Sequence, residues 1–377
     1  AVLTPMTYDY KFMVVGASST CGNQMDSSTG EENGYLAFPS VVSRAYNATW
    51  QQVSVSGRGC TQGTLGESSW AFSQENQLAD LFKYQSWFRD KETKFDTSSF
   101  VPDVIITNFN NDFGKDTIKK GYSVDEVFEH MMAFISELRA TYPNAYIVMS
   151  YGNYPNYTED PTDSSKQVYN NYTIIEEYKK NVDKYKETSG DSKIAFVTFP
   201  DLVNGQSGHP NEEEHRYLSE LISAQISEFL NVENPLPQTH FEAENGTIHG
   251  TSGKVVQITT WASKFSNNSY IEGLNTNLNG QAPADDGSNV SYVSVPVKAW
   301  KTGNYKIKLA TSAKDGTESY MRVNGGQWTK FTVQDTGDWA KVAINEAMTA
   351  KLNEGENTID VMGPTNGGYG CVDRVDI

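Results

Sequence analysis

The sequence has no apolar run near the ~18 residues that a membrane-spanning helix needs, no cluster of Lys or Arg, and only three cysteines and five histidines in 377 residues. The first absence excludes a bilayer-crossing helix. Residues 1–10 also lack the charged and apolar regions of a signal peptide. The second absence, with 47 acidic against 30 basic residues and a formal net charge of -17, argues against nucleic acid or an anionic membrane as partner, because such a surface repels phosphate. Neutral polymers remain. Three cysteines cannot all pair within one chain. Cys21 and Cys60 each follow a strand-like segment whose end would neighbour the other in a parallel sheet, so a disulfide between them is favoured over two buried thiols. A start at Ala1 fits a processed N-terminus. Six Asn-X-Ser/Thr sequons, at Asn47, Asn156, Asn171, Asn245, Asn267 and Asn289, permit glycosylation, so a secreted protein is the expectation.

Two textures divide the chain. Up to residue 232, short apolar runs alternate with amphipathic stretches, which predicts βαβ units and a three-layer α/β/α domain on a parallel sheet. Strands are expected over 12–15, 53–55, 104–106, 145–149 and 194–198. Ser123-Val124-Asp125-Glu126 makes a capping box, and Val127, Phe128, Met131, Phe134, Ile135 and Leu138 follow at helical spacing. Asn211 with Glu214 opens a last helix whose stripe is Leu218, Leu221, Ile222, Ile226 and Phe229. Residues 233–239, with Asn234-Pro235-Leu236-Pro237, read as a short stiff linker. Beyond it, residues 240–377 carry short alternating runs such as Tyr292–Val297 and Tyr305–Leu309 between Gly, Asn and Asp, which predicts an antiparallel β-sandwich.

The chemistry gathers where the expected strands end. Ser18 follows the first strand through Gly16 and would stand at the carboxyl edge of the sheet, where open α/β folds bind ligands. A serine attacks a carbonyl only with a base to take its proton and donors to hold the oxyanion. Gly57, in Ser56-Gly57-Arg58-Gly59 after the second strand, offers a backbone N–H that a ligand can approach closely. Asn111, after the third, offers a side-chain amide, and His209, just before the last helix, offers a general base. Among the other histidines, His215 falls on the apolar stripe and is expected to be a satisfied core residue. His130 lies on a helix side, and His240 and His249 lie in the second domain.

In this order (nucleophile Ser, oxyanion Gly, oxyanion Asn, then His-Pro) residues 8–230 resemble the SGNH or GDSL hydrolases. Ser56-Gly57-Arg58-Gly59, Asn111-Asp112-Phe113 and His209-Pro210-Asn211 look most like the carbohydrate esterases of families 2 and 3, which remove acetyl groups from plant cell-wall polysaccharide. The resemblance implies Ser18 as nucleophile, His209 as base, Gly57 and Asn111 as oxyanion donors, and Arg58 beside the substrate. No catalytic cofactor is implied. The chain departs from the family pattern at Ala17, at Phe109 and, above all, at Gln206, where the family has the Asp that orients the imidazole. Some members of that branch use a backbone carbonyl instead. Asp201 is the alternative.

The second domain resembles carbohydrate-binding modules of families 35 and 6, through Phe241-Glu242-Ala243-Glu244 at its start and Cys371-Val372-Asp373-Arg374-Val375 at its end. That resemblance implies a structural calcium on Glu242, Glu244 and Asp373, a hard-oxygen donor set; exposed acidic edge residues are the alternative. Sugars stack on aromatics, so Trp261, Trp339, Asn366 and Tyr369 are the candidate contacts, with Trp328 a further aromatic. The joined reading is a serine esterase that removes acetyl groups from xylan or glucomannan, targeted by its binding module, within an enzyme that can carry further modules. A feruloyl or lipid esterase of the same fold, or a carbohydrate-binding protein with an inactive hydrolase domain, are the alternatives.

Overall fold

The computed structural model describes residues 6–26, 29–61, 77–86, 90–113, 122–152, 171–200, 209–257, 265–266, 269–274, 278, 281–339, 341–363, 365 and 370–377. The chain divides into two compact units, residues 1–236 and 237–377.

In the first unit, β1 (Tyr10–Gly16) is the inner strand that fixes the layers. Its side chains from Phe12 onward are buried on both faces, as a strand covered by helices on each side requires. Phe12 shares a cluster with Val104, Ile106 and Val148, whereas Met13 and Val15 join Ile105, Ile147 and Met149 on the other face. This is the period of two that a strand imposes. The sheet order is β2 (Ala48–Ser54), β1, β5 (Val104–Asn108), β6 (Tyr146–Gly152), β7 (Ile194–Phe199), all parallel, with Val14 level with Ile106. A separate hairpin pairs β3 (Tyr84–Ser86) with β4 (Asp90–Lys94).

Helices α4 (Val124–Thr141) and α5 (Asn171–Ser189) supply one apolar layer, and α2 (Phe38–Ala45) and α6 (Glu212–Leu230) the other. Two short helices, α1 (Ser18–Cys21) and α3 (Leu78–Leu81), lie beside the loops that follow β1 and β2. Both expected capping boxes are formed, by Ser123 with Glu126 and by Asn211 with Glu214. One expected strand was too short: β2 begins five residues before residue 53, because as an edge strand it is only half-buried and shows no apolar run.

The second unit stacks two antiparallel sheets. One has the order β10 (Lys254–Gln257), β11 (Ser269–Glu272), β18 (Gly370–Asp376), β13 (Gly303–Ala313), β16 (Ala343–Leu352), with β8 (His240–Glu242) also paired to β18. The other has the order β15 (Thr329–Val333), β14 (Thr317–Val323), β17 (Gly355–Met362), β12 (Tyr292–Ala299), β9 (Thr247–His249). Val293, Val295, Val297, Ile307, Leu309, Ile359 and Val361 fill the space between them.

Candidate active site

All five strands of the first sheet run parallel, so their carboxyl ends share one edge, and three of the four expected catalytic residues follow those ends within three residues. Ser18 opens α1 two residues after β1 and is 7 % exposed. Gly16 makes this turn possible: a Cβ there would lie 2.4 Å from Thr20 Cγ2. Gly57 lies three residues beyond β2 at φ +77°, a left-handed conformation that side chains disfavour. Asn111 sits in the 3₁₀ turn Asn110–Phe113 that follows β5, and it is buried.

Hydrogen bonds join these loops in series. Val55 N donates to Gly16 O at 3.1 Å, and the Thr20 and Ser54 hydroxyls are hydrogen-bonded to each other at 2.8 Å. Asn111 Nδ2 donates to the Arg58 carbonyl at 3.2 Å. The carboxamide bears two N–H groups, so this bond fixes its plane without consuming its donor capacity. The Asp112 carboxylate accepts from Cys60 N at 2.5 Å, Thr61 N at 2.8 Å and Thr61 Oγ1 at 3.0 Å. The loop that carries Gly57 is thus held from both sides.

His209 is buried two residues before the N-cap Asn211. The start of its helix is set against the start of α2, where Phe38 N donates to His215 Nδ1 at 3.3 Å and the two rings stack. His215 is fully buried, and burial, reinforced by the nearby His209, pushes its pKa down to about 3. Because Nδ1 accepts, the neutral ring carries its hydrogen on Nε2. Among the described residues, that atom has no hydrogen-bond partner. The expected satisfied core histidine is therefore buried but only half satisfied. As a donor at Nε2 it also cannot accept a hydrogen bond from His209 in the role the family gives an Asp. Gln206 and Asp201 lie outside the described residues.

Two expectations need correction. Cys21 and Cys60 are free thiols. Cys60 is buried in the apolar cluster with Leu78 and Phe82, whereas Cys21 lies beside Ser56 and Glu32, with Ser56 hydrogen-bonding its sulfur. Neighbouring strand ends did not bring their side chains to the same side of the loop. Arg58, the expected substrate contact, is buried, as are Ser18 and His209.

The second correction concerns calcium. The three expected carboxylates do converge: the Glu242 carboxyl is pushed well up by burial and by Asp373 and Glu244. However, Ser266 Oγ binds both Glu242 Oε2 at 2.5 Å and Asp373 Oδ1 at 2.7 Å, and Arg374 Nη1 sits 3.2 Å from Asp373 Oδ2. Among the described residues, no group of three or more His, Cys, Asp or Glu is arranged to hold a metal. Ser266 and Arg374 thus already take oxygens of Glu242 and Asp373, and this arrangement does not support calcium.

Of the sugar-contact candidates, Trp261, Asn366 and Tyr369 lie outside the described residues. Trp339 is half-buried, its carbonyl accepting from Ser312 Oγ at 2.7 Å. Trp328 packs: its indole N–H donates to Ala284 O at 3.0 Å, and the Arg322 guanidinium lies 4.3 Å from its ring centre.

No family model matches the chain. The chain is similar to the cellulase/esterase CelE of Acetivibrio thermocellus, with 25% identity over 238 residues. That stretch is 60% of this chain and 26% of the relative, so the chain spans about a quarter of the curated relative it matches. A family 2 carbohydrate esterase with a carbohydrate-binding domain from Corynascus thermopiles (Myceliophthora fergusii) superposes with a TM-score of 0.50 at 20% identity, covering 61% of this chain and 69% of that one. A family 2 carbohydrate esterase from Clostridium thermocellum, solved with cellohexaose, gives 0.49 at 23% identity over 61% of this chain and 67% of that one. The chain therefore resembles the family 2 carbohydrate esterases, as its motifs led us to expect, and it shares an α/β fold accompanied by a β-rich second domain.

Proposed function

We propose that the chain is a serine carbohydrate esterase that removes acetyl groups from a plant cell-wall polysaccharide such as xylan or glucomannan. The observation that carries this reading is the hydrogen-bonded series of loops after β1, β2 and β5, which holds a serine, a left-handed glycine and an asparagine amide at one sheet edge. Similarity to a curated cellulase/esterase and to family 2 carbohydrate esterases supports the substrate class.

In this mechanism His209 takes the Ser18 hydroxyl proton as Oγ bonds to the acetyl carbon. The oxyanion is met by the N–H of Ser18, the N–H of Gly57 and the Asn111 amide. Collapse expels the sugar oxygen, which takes the proton from His209. Water, activated by His209, then attacks the acyl-serine and releases acetate. A backbone carbonyl orients His209 in place of an Asp. The second domain binds the same polysaccharide, and tethering raises the local concentration of ester. A secreted setting, with further modules on a longer enzyme, belongs to the same reading.

The test is acetate release from acetylated xylan and glucomannan by the chain and by Ser18→Ala. Release that vanishes in the variant supports the assignment. Undiminished release removes Ser18 from the mechanism. Binding without release by either protein makes the chain a recognition protein. A preference for longer acyl chains or aryl esters moves the assignment to a lipid or feruloyl esterase.

A further inference from the structure

We infer that a cleft beside the oxyanion loop is a subsite for one neutral sugar residue of the polymer, an inference that rests on the esterase reading above. The cleft has a volume of about 240 Å³. That is below the ~300–1,000 Å³ of sites for drug-sized ligands, so it suits one ring and not a chain. Its walls come from three places: Thr61 on the loop after β2, Gln77, Asp80 and Lys83 in and around α3, and Tyr122 and His130 at the start of α4.

The lining matches a pyranose. Sugar hydroxyls both donate and accept, and the cleft sets a carboxylate acceptor, Asp80, close to an ammonium donor, Lys83, with the Thr61 hydroxyl and Gln77 amide beside them. One negative and one positive side chain leave the wall with no excess charge of either sign, which favours a neutral polyol over an anion. Tyr122 meets His130 edge to face at 4.5 Å, an aromatic pair at the wall against which an apolar sugar face can pack. Lys83 contacts Glu137 at 3.3 Å with its side chain 39 % exposed, and so weak a surface pair yields readily to a ligand.

The cleft is also coupled to the proposed chemistry. Gln77 Oε1 accepts from Gly59 N at 3.2 Å, and Asp112 holds Thr61 next to Asn111. The cleft wall and the oxyanion donors therefore belong to one hydrogen-bonded unit, and a sugar seated here would lie along the same sheet edge as the ester under attack.

The experiment compares the full chain with Lys83→Met and Tyr122→Ala on acetylated xylo-oligosaccharides and on 4-nitrophenyl acetate. Lys83 is surface-exposed, so its variant folds, which thermal melting verifies. Each variant should lower kcat/KM on the oligosaccharides, through KM, by about 10-fold relative to nitrophenyl acetate. Equal effects on both substrates, or none on either, overturn the subsite. If the unmodified chain cleaves neither ester, the esterase reading fails, and calorimetry with unacetylated xylohexaose then decides the subsite separately. A stoichiometry lower by one site in Lys83→Met supports it, and an unchanged one overturns it.

Discussion

The Asp112 carboxylate binds both the backbone N–H and the hydroxyl of Thr61, at 2.8 and 3.0 Å. With Cys60 N also on this carboxylate, one side chain from the turn after β5 closes the loop after β2. Asp112→Ala leaves those donors in the interior without their acceptor and should destabilise the first unit by about 3–5 kcal/mol. Asp112→Asn, which retains an acceptor oxygen, should cost about 1–3 kcal/mol. Urea unfolding measures both. Equal stabilities for the two variants would mean the carboxylate does not organise the loop.

His215 makes stability depend on pH in a definite direction. Its ring takes a proton near 6.5 when exposed and only near about 3 when folded, chiefly because burial disfavours the cation. Between those values the unfolded chain binds the extra proton. The contribution is therefore fully present above pH 6.5 and is lost as the pH falls toward 3, by about 1.4 kcal/mol per unit at most. His215→Gln keeps an acceptor for Phe38 N and should flatten this slope in a pH series of denaturant melts. An unchanged slope would place the acid sensitivity elsewhere.

All three cysteines should be present as thiols and slow to react. Cys21 and Cys371 are each pushed up to about 12, and Cys60 well up, with burial the leading cause in every case. Only about one part in ten thousand of a thiol with a pKa of 12 is thiolate at pH 8. The native protein should resist a chromogenic disulfide reagent at that pH, and the unfolded protein should consume three equivalents. One equivalent would restore the Cys21–Cys60 disulfide.

In the second unit the charge of the carboxylate cluster is balanced by Arg374. Besides Asp373, it reaches Asp376 Oδ1 from Nε at 2.9 Å. Arg374→Met should therefore lower the stability of this unit by about 3–5 kcal/mol, because it strands buried carboxylates. A chelator should leave its melting temperature unchanged. A chelator-induced fall reversed by added calcium would show that a metal does share these oxygens.

What the sequence disclosed followed physical regularity. Helices α4 and α6 were legible because Ser123 and Asn211 begin a cap and an apolar stripe continues it. Inner strands β1, β5 and β6 were legible because burial on both faces produces unbroken apolar runs, and β7, the other edge strand, because Ile194, Phe196 and Val197 keep an apolar run there. Strand β2 was seen only at its end, since Thr49, Gln51 and Gln52 on a half-exposed edge carry no such signal. Helix α2 begins with Phe38-Pro39 and has no side-chain cap, so only the proline of its first turn marks its start. At the site, the sequence indicated Ser18, Gly57 and Asn111 through strand-end position. It could not indicate which way a side chain turns, and that decided the cysteines and the His215 nitrogen that has no partner among the described residues. No local motif encodes the sharing of Asp373 between Ser266 and Arg374, which requires residues 107 apart to meet.

Strand β18 pairs with β8, β11 and β13, so the last strand of the second unit is interior to its sheet and Arg374 lies level with Glu242. During synthesis the segments on both sides of that gap emerge long before the strand that joins them. Such distant pairing slows folding, and until β18 is released β8 and β13 stand as open edges, the state in which nascent chains aggregate. The first unit builds its sheet from strands all made earlier, so on the ribosome it can close while its neighbour still waits for one strand.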